Sequence, residues 1–177
     1  MHPAWSIIFF TSISGLGLGL AGLIVLGLVD LTLFLHLFVA ISLVFGLIGA
    51  GLLSSTLHLG HPERAWRALS QWRSSWLSRE GVLAILVLVS LSCWFAFTFF
   101  LGPPPLWSGF LILALIVATV YATSMIYGSL KTVSCWHHPL TPVCYLMFSA
   151  CGGSLAFLSM LALFGVCGVV CCLYKFV

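Results

Sequence analysis

The sequence predicts an all-α integral membrane protein with about five transmembrane helices. Three observations carry this reading. Hydrophobic residues make up 62% of the 177 residues and charged residues 5%, with a mean hydropathy of +1.25, which is far from the composition of soluble domains. The apolar segments reach the roughly 20 residues needed to cross a hydrocarbon core about 30 Å thick. Runs such as GVLAILVLVSLSCWFAFTFFLG do not alternate in polarity, whereas strands of a membrane barrel alternate over about 10 residues.

Spans are expected over residues 5–29, 32–57, 81–101, 106–130 and 143–174, all within a single transmembrane anchor domain covering 1–177. No Lys or Arg precedes Trp5, and no small-residue cleavage site followed by a polar chain is visible. The first span is therefore expected to be a retained helix rather than a removed signal peptide. Its SGLGLGLAG stretch sets Gly15, Gly19 and Gly22 at helical spacing, a stripe that lets another helix approach closely; contact with a ligand is the alternative use. Asp30 and Leu31 are expected to form a tight turn, and GPPP (102–105) breaks the chain between the third and fourth spans. The last segment is long for one crossing and has Gly152 and Gly153 near its middle.

Charge is concentrated between the second and third spans. Residues 55–82 hold four of the six basic residues (Arg64, Arg67, Arg73, Arg79) and two of the three acidic ones (Glu63, Glu80). A net charge of +3 that is so localised does not point to nucleic acid. Basic residues favour the cytoplasmic side, so this loop and the one carrying Lys131 are expected inside, with the N-terminus inside and the C-terminus outside. Trp5, Trp107 and Trp136 fall at span ends, where an aromatic belt would place them. From Pro62 the loop reads as a helix with an apolar face of Ala65, Leu69, Trp72 and Trp76, suited to lie flat among the headgroups. The arginines then serve either topology alone or partner docking as well.

His58 leaves the second span where Glu80 enters the third, and a helical hairpin would bring the two to one membrane depth. An imidazole and a carboxyl at that boundary suit proton transfer to and from a quinol, which loses two protons as it loses two electrons. The bland reading is that each simply complements the dipole of its helix end. Haem is not expected. A bis-His haem needs ligands on facing helices, whereas among His36, His58, His61, His137 and His138 only His36 lies clearly within a span. His36 is also the lone ionisable residue that could mark a transport pathway, which disfavours a transporter. Seven cysteines without a CxxC pair predict neither a zinc site nor a cysteine-ligated cluster in this subunit, and no metal site is expected.

The stretch STLHLGHPERAWRALSQWRSSWLSREGV closely resembles the corresponding loop of the membrane-anchor subunit of the DMSO reductase family, including the anchors of related sulfite-oxidising molybdoenzymes. HPAWSIIFFTSISGLGLGL and MIYGSLKTVSCWHHPLTPVCYL extend the likeness over roughly Met1 to Gly153. The resemblance implies a bacterial inner-membrane anchor that holds an iron-sulfur electron-transfer subunit and a molybdopterin catalytic subunit. Such an anchor exchanges electrons with the menaquinone or ubiquinone pool and contains no haem. It also implies that His58 and Glu80 contact quinol, and that Arg64 helps to set the quinone site or the docking surface. Family anchors usually carry more spans, so the chain reads as C-terminally short, ending in a cysteine-rich stretch unlike the family. A non-redox anchor or assembly factor for the same kind of complex is the alternative function. The terminal substrate, dimethyl sulfoxide or sulfite or another oxo-compound, would be chosen in the catalytic subunit.

Overall fold

The computed structural model describes the backbone of residues 5–29, 31, 34–56, 71–133 and 135–174. Five α-helices follow one another and no strand occurs among these residues: α1 Trp5–Val25, α2 Phe34–Thr56, α3 Trp76–Leu101, α4 Leu106–Gly128 and α5 Leu140–Tyr174. Each contains a stretch long and apolar enough to cross a membrane. Lipid offers no hydrogen bonds to the backbone, so chains of this composition close their peptide groups within helices. Even α1, the shortest at 21 residues, extends about 32 Å at 1.5 Å per residue.

Helix α1 is the hub. It packs against α2, α4 and α5, while α3 leans chiefly on α4. Its Leu20, Ala21 and Ile24 are completely buried. Large apolar side chains on the outer faces, including Phe34, Leu53, Phe100 and Phe148, stay exposed, as expected of helices that meet lipid rather than water.

Close approach depends on glycine. A Cβ on Gly19 would collide with the carbonyl of Ser149 in α5, and one on Gly153 with the backbone of Gly19. A Cβ on Gly109 of α4 would meet the carbonyl of Val25, and one on Gly51 of α2 would meet Ser14. The α1–α5 contact is pinned by the Ser149 hydroxyl, which donates to the Gly15 carbonyl at 2.7 Å. Of the glycine stripe expected in α1, Gly19 is the member in backbone contact, whereas Gly15 has open space where its Cβ would be.

Several boundaries differ from those expected. Helix α1 stops at Val25 rather than 29 because Gly27 turns left-handed (φ +74) and returns its N–H to the Ile24 carbonyl at 3.0 Å. The first connection is thus longer than an Asp30–Leu31 turn, and Asp30 lies outside the described residues. Helix α3 begins at Trp76 rather than 81, after a turn over 71–74 and an extended Ser75 (φ −114, ψ 127). Trp72 and Trp76 therefore stand on opposite sides of a break and do not share one interfacial helix. Residues 57–70, with Ala65 and Leu69, lie outside the described residues. Helix α4 ends at Gly128 rather than 130, where the Ser129 N–H closes on the Met125 carbonyl. Helix α5 starts at Leu140 rather than 143, with Pro142 in its first turn, where a missing N–H costs little. It runs unbroken through Gly152 and Gly153, because that pair serves contact with α1 and not a bend.

Substituting Gly19→Leu should push α5 off α1 and cost about 1–3 kcal/mol or more, as overpacking of a filled core does. Gly46→Ala, at a position with nothing near its Cβ, should be neutral or stabilising. Thermal unfolding in detergent, followed by loss of monodisperse protein, separates the two.

Candidate functional site

The start of α3 carries Arg79 and Glu80 side by side. Successive residues of a helix point about 100° apart, so the two charges part company. Arg79 turns back toward the preceding loop. Its Nε donates to the Trp72 carbonyl at 3.0 Å and a terminal guanidinium nitrogen to the Arg73 carbonyl at 2.8 Å. The same guanidinium lies 4.4 Å from the Trp76 ring centroid, a cation–π arrangement. Arg79 thus ties the 71–75 turn to its own helix.

Glu80 turns inward. It is 5% exposed and continues the buried stripe of Ala84, Val87 and Leu91. Across from it, α4 supplies Thr123, whose hydroxyl donates to Glu80 Oε1 at 2.5 Å. The Thr119 carbonyl, one turn back along α4, is a second acceptor for that hydroxyl at 3.1 Å. A cavity of about 20 Å³, lined by Phe10, Ser14, Leu52, Thr119, Thr123 and Glu80 among others, adjoins the carboxyl; it has room for about one water. Glu80 is four residues into α3 and Thr123 five residues from the end of α4, so the pair sits roughly 6–8 Å below the helix ends. On the far side of Thr123 and Ser14 lies a larger cavity of about 450 Å³ between α1, α4 and α5.

Of the residues proposed to contact quinol, Glu80 alone can be placed: His58 and Arg64 lie outside the described residues. The end of α2 at Thr56 and the start of α3 do face the same side of the bundle, since the helices run up and down in sequence. The other described histidines do not converge on Glu80. His137 Nδ1 lies 2.7 Å from the Gly128 carbonyl, and His138 Nδ1 accepts the Leu140 N–H at 3.2 Å, so both organise the α4–α5 turn. His36, at the start of α2 and hence at the opposite end, stacks on Phe164 with ring centroids 4.0 Å apart. No group of three or more His, Cys, Asp or Glu gathers among the described residues. Cys93, Cys135, Cys144 and Cys151 are exposed and unpaired.

Sequence reasoning missed Thr123. The available signal was ATVYATS, which sets Thr119 and Thr123 one helical turn apart in a span otherwise rich in aliphatic residues. The hydroxyls of Ser14 and Tyr145 were also passed over, because residues on three different helices share no spacing.

Over residues 1–175 the chain matches the family described as DMSO reductase anchor subunit (DmsC). It is 37% identical over 173 residues to the C subunit of the sulfite dehydrogenase of Allochromatium vinosum, covering 86% of this sequence and 53% of that protein. It is 31% identical over 134 residues to the C component of the anaerobic dimethyl sulfoxide reductase of Escherichia coli, covering 72% and 47% respectively. The chain therefore spans about half the length of these relatives. No solved structure matches it significantly.

Replacing Arg79 by Lys keeps a charge but loses the planar fork that bridges two carbonyls. Arg79→Lys should speed amide exchange at Ser74 and Ser75 about tenfold or more, as expected when about 1.4 kcal/mol of local protection is removed. Exchange in the core of α3 should be unchanged, as read by hydrogen–deuterium exchange mass spectrometry.

Proposed function

The chain belongs to the DMSO reductase anchor subunit (DmsC) family, and from that premise we propose that it anchors a molybdenum-dependent oxidoreductase complex and reacts with membrane quinol. It passes electrons between the quinone pool, menaquinone or ubiquinone, and an iron-sulfur subunit. A molybdopterin subunit performs the substrate chemistry.

The observation that carries the redox reading is Glu80. A carboxyl inside a membrane-spanning helix bundle is expensive, and ionisable residues in such places mark pathways for protons, ions or substrates. An anchor that only held partners in place would be better served by an apolar residue at position 80, where the neighbouring stripe is Ala84, Val87 and Leu91. Quinol is the membrane-soluble reductant whose oxidation releases protons, and a carboxyl about one turn below the helix ends can receive one. His58, two residues beyond α2 in the sequence, is proposed to hydrogen-bond the quinol, with Arg64 helping to set the same site.

Charge supports an orientation. Arg73, Arg79 and Lys131 all lie at the end of the bundle where α3 starts and α4 stops. By the positive-inside rule that end is cytoplasmic, in the bacterial inner membrane, with the N-terminus inside. The iron-sulfur partner would dock there, close to Glu80. The relatives' names, sulfite dehydrogenase and dimethyl sulfoxide reductase, leave the terminal substrate to the catalytic subunit.

Glu80→Gln removes the titrating group but keeps an oxygen to accept the Thr123 hydroxyl. In the assembled complex it should lower quinol-driven turnover about 100-fold or more, the usual scale of a lost acid–base group, while an artificial electron donor still drives the catalytic subunit. His58→Arg should act in the same direction. Undiminished quinol turnover in both variants would leave only the anchoring or assembly role.

A further inference from the structure

The 450 Å³ cavity between α1, α4 and α5 is large enough for a small-molecule ring system, and its lining is unusual for the interior of a membrane bundle. Thr11, Ser12, Ser14, Thr123, Tyr145 and Ser149 all contribute hydroxyls. Its inner wall is formed by Ser14 and Thr123, each 7% exposed, and its rim by Phe148, which is 77% exposed. It therefore opens sideways, between helices, in the direction from which a lipid-soluble molecule arrives.

The hydroxyl protons of this lining are largely committed elsewhere. Thr11 donates to the Ile7 carbonyl at 3.1 Å, Ser14 to the Phe10 carbonyl at 2.5 Å and Ser149 to the Gly15 carbonyl at 2.7 Å. Thr123 donates to Glu80 Oε1 at 2.5 Å. A hydroxyl has one proton and two lone pairs, so each of these four can only accept from a ligand. Tyr145 and the exposed Ser12 keep a choice of role. The buried inner wall, where Ser14 and Thr123 have committed their protons, favours a ligand that donates. Hydroquinones carry two O–H donors, and quinones carry only acceptors.

We propose that the ring of the quinol docks in this cavity, with one O–H donating to Thr123 Oγ1, and that the cavity thereby selects the hydroquinone over the quinone. The proposal rests on the quinol-reactive reading above and names where that substrate sits. Thr123 lines both this cavity and the small one beside Glu80, whereas Glu80 itself lines only the latter. The carboxyl therefore meets the ligand through Thr123, in series: ligand O–H to Thr123 oxygen, Thr123 O–H to Glu80 carboxylate. A quinone at the same place would force the Thr123 proton to choose between Glu80 and the ring carbonyl. Thr123 is thus the discriminating residue of the site.

The test uses the protein in lipid nanodiscs, titrated anaerobically with a short-tailed benzohydroquinone and separately with its quinone. The hydroquinone should bind about tenfold more tightly, the scale of one hydrogen bond to a charged chain. Thr123→Val should abolish that preference and Thr123→Ser should retain it. Gly15 lines the cavity and has nothing within 4 Å of its Cβ position, so Gly15→Leu should fill the space and weaken both ligands about tenfold or more. Because Gly15→Leu and Thr123→Ser leave the Glu80 contact in place, they keep the test decisive should Thr123→Val not fold. Equal affinity of the parent for the two redox forms overturns the selectivity. Binding unaffected by Gly15→Leu overturns the location, and the cavity then holds lipid tails only. Quinol turnover that is lost in Glu80→Gln yet untouched in Gly15→Leu and Thr123→Val would sink this site while sparing the quinol-reactive function.

Discussion

Backbone-to-backbone contact between α1 and its neighbours is the constraint on which the rest of the molecule depends. Lipid tails are as apolar as leucine, so no hydrophobic gain drives helix against helix; packing and polar contacts must do it. Here Gly19 meets Ser149 and Gly153, Gly109 meets Val25, and Gly51 meets Ser14. Three helices are thereby drawn onto α1 at distances that side chains would forbid. The Ser149 hydroxyl bonded to the Gly15 carbonyl adds direction to a contact that would otherwise be only close. With α1 fixed against α4 and α5, the small polar residues of all three face one another at a single depth, on the side where α3 begins.

Hydroxyl side chains on these helices mostly satisfy themselves locally. Ser14, Thr98, Thr119 and Ser154 each return a hydroxyl proton to a carbonyl four residues back in the same helix, the usual recourse of Ser and Thr in an apolar helix. Thr123 has the same option at the Thr119 carbonyl and also reaches across to Glu80. That interhelical bond fixes α4 against α3 at the point where the only described carboxyl side chain is buried. A single hydroxyl thus connects the acidic group to the packing scheme centred on α1.

Hydropathy made the number of helices and their approximate middles legible, because a membrane span is defined by composition over about 20 residues. Its failures have a common physical origin. Counting apolar residues rejects Arg79 and Glu80, which places the start of α3 after them; in fact each finds its own solution, Arg79 on backbone carbonyls of the loop and Glu80 on Thr123. At α1 the same counting runs on past Val25, since Leu26 and Leu28 are apolar and only the left-handed Gly27 ends the helix. Glu80 stands out as a charged residue in an apolar chain. Thr123 does not, because threonine is unremarkable in a span and its meaning comes from α3 lying opposite. The cavity hydroxyls, scattered over α1, α4 and α5, acquire a common purpose only once the glycine contacts bring those helices together.

The divergence of Arg79 and Glu80 has a chemical consequence. Adjacent in sequence, they could have been an ion pair, and a guanidinium held on the carboxylate would favour the charged form and resist protonation. The helical turn sends Arg79 to the carbonyls of Trp72 and Arg73 and to the face of Trp76, leaving Glu80 to a neutral partner. A threonine hydroxyl donates to a carboxylate as a neutral dipole, with no charge of its own. Thr123 donates to the carboxylate without bringing a counter-charge, so the carboxyl is held in place without being locked in its charged form. That is the property the proposed proton-accepting role of Glu80 requires, and it arises from the geometry of one helical turn.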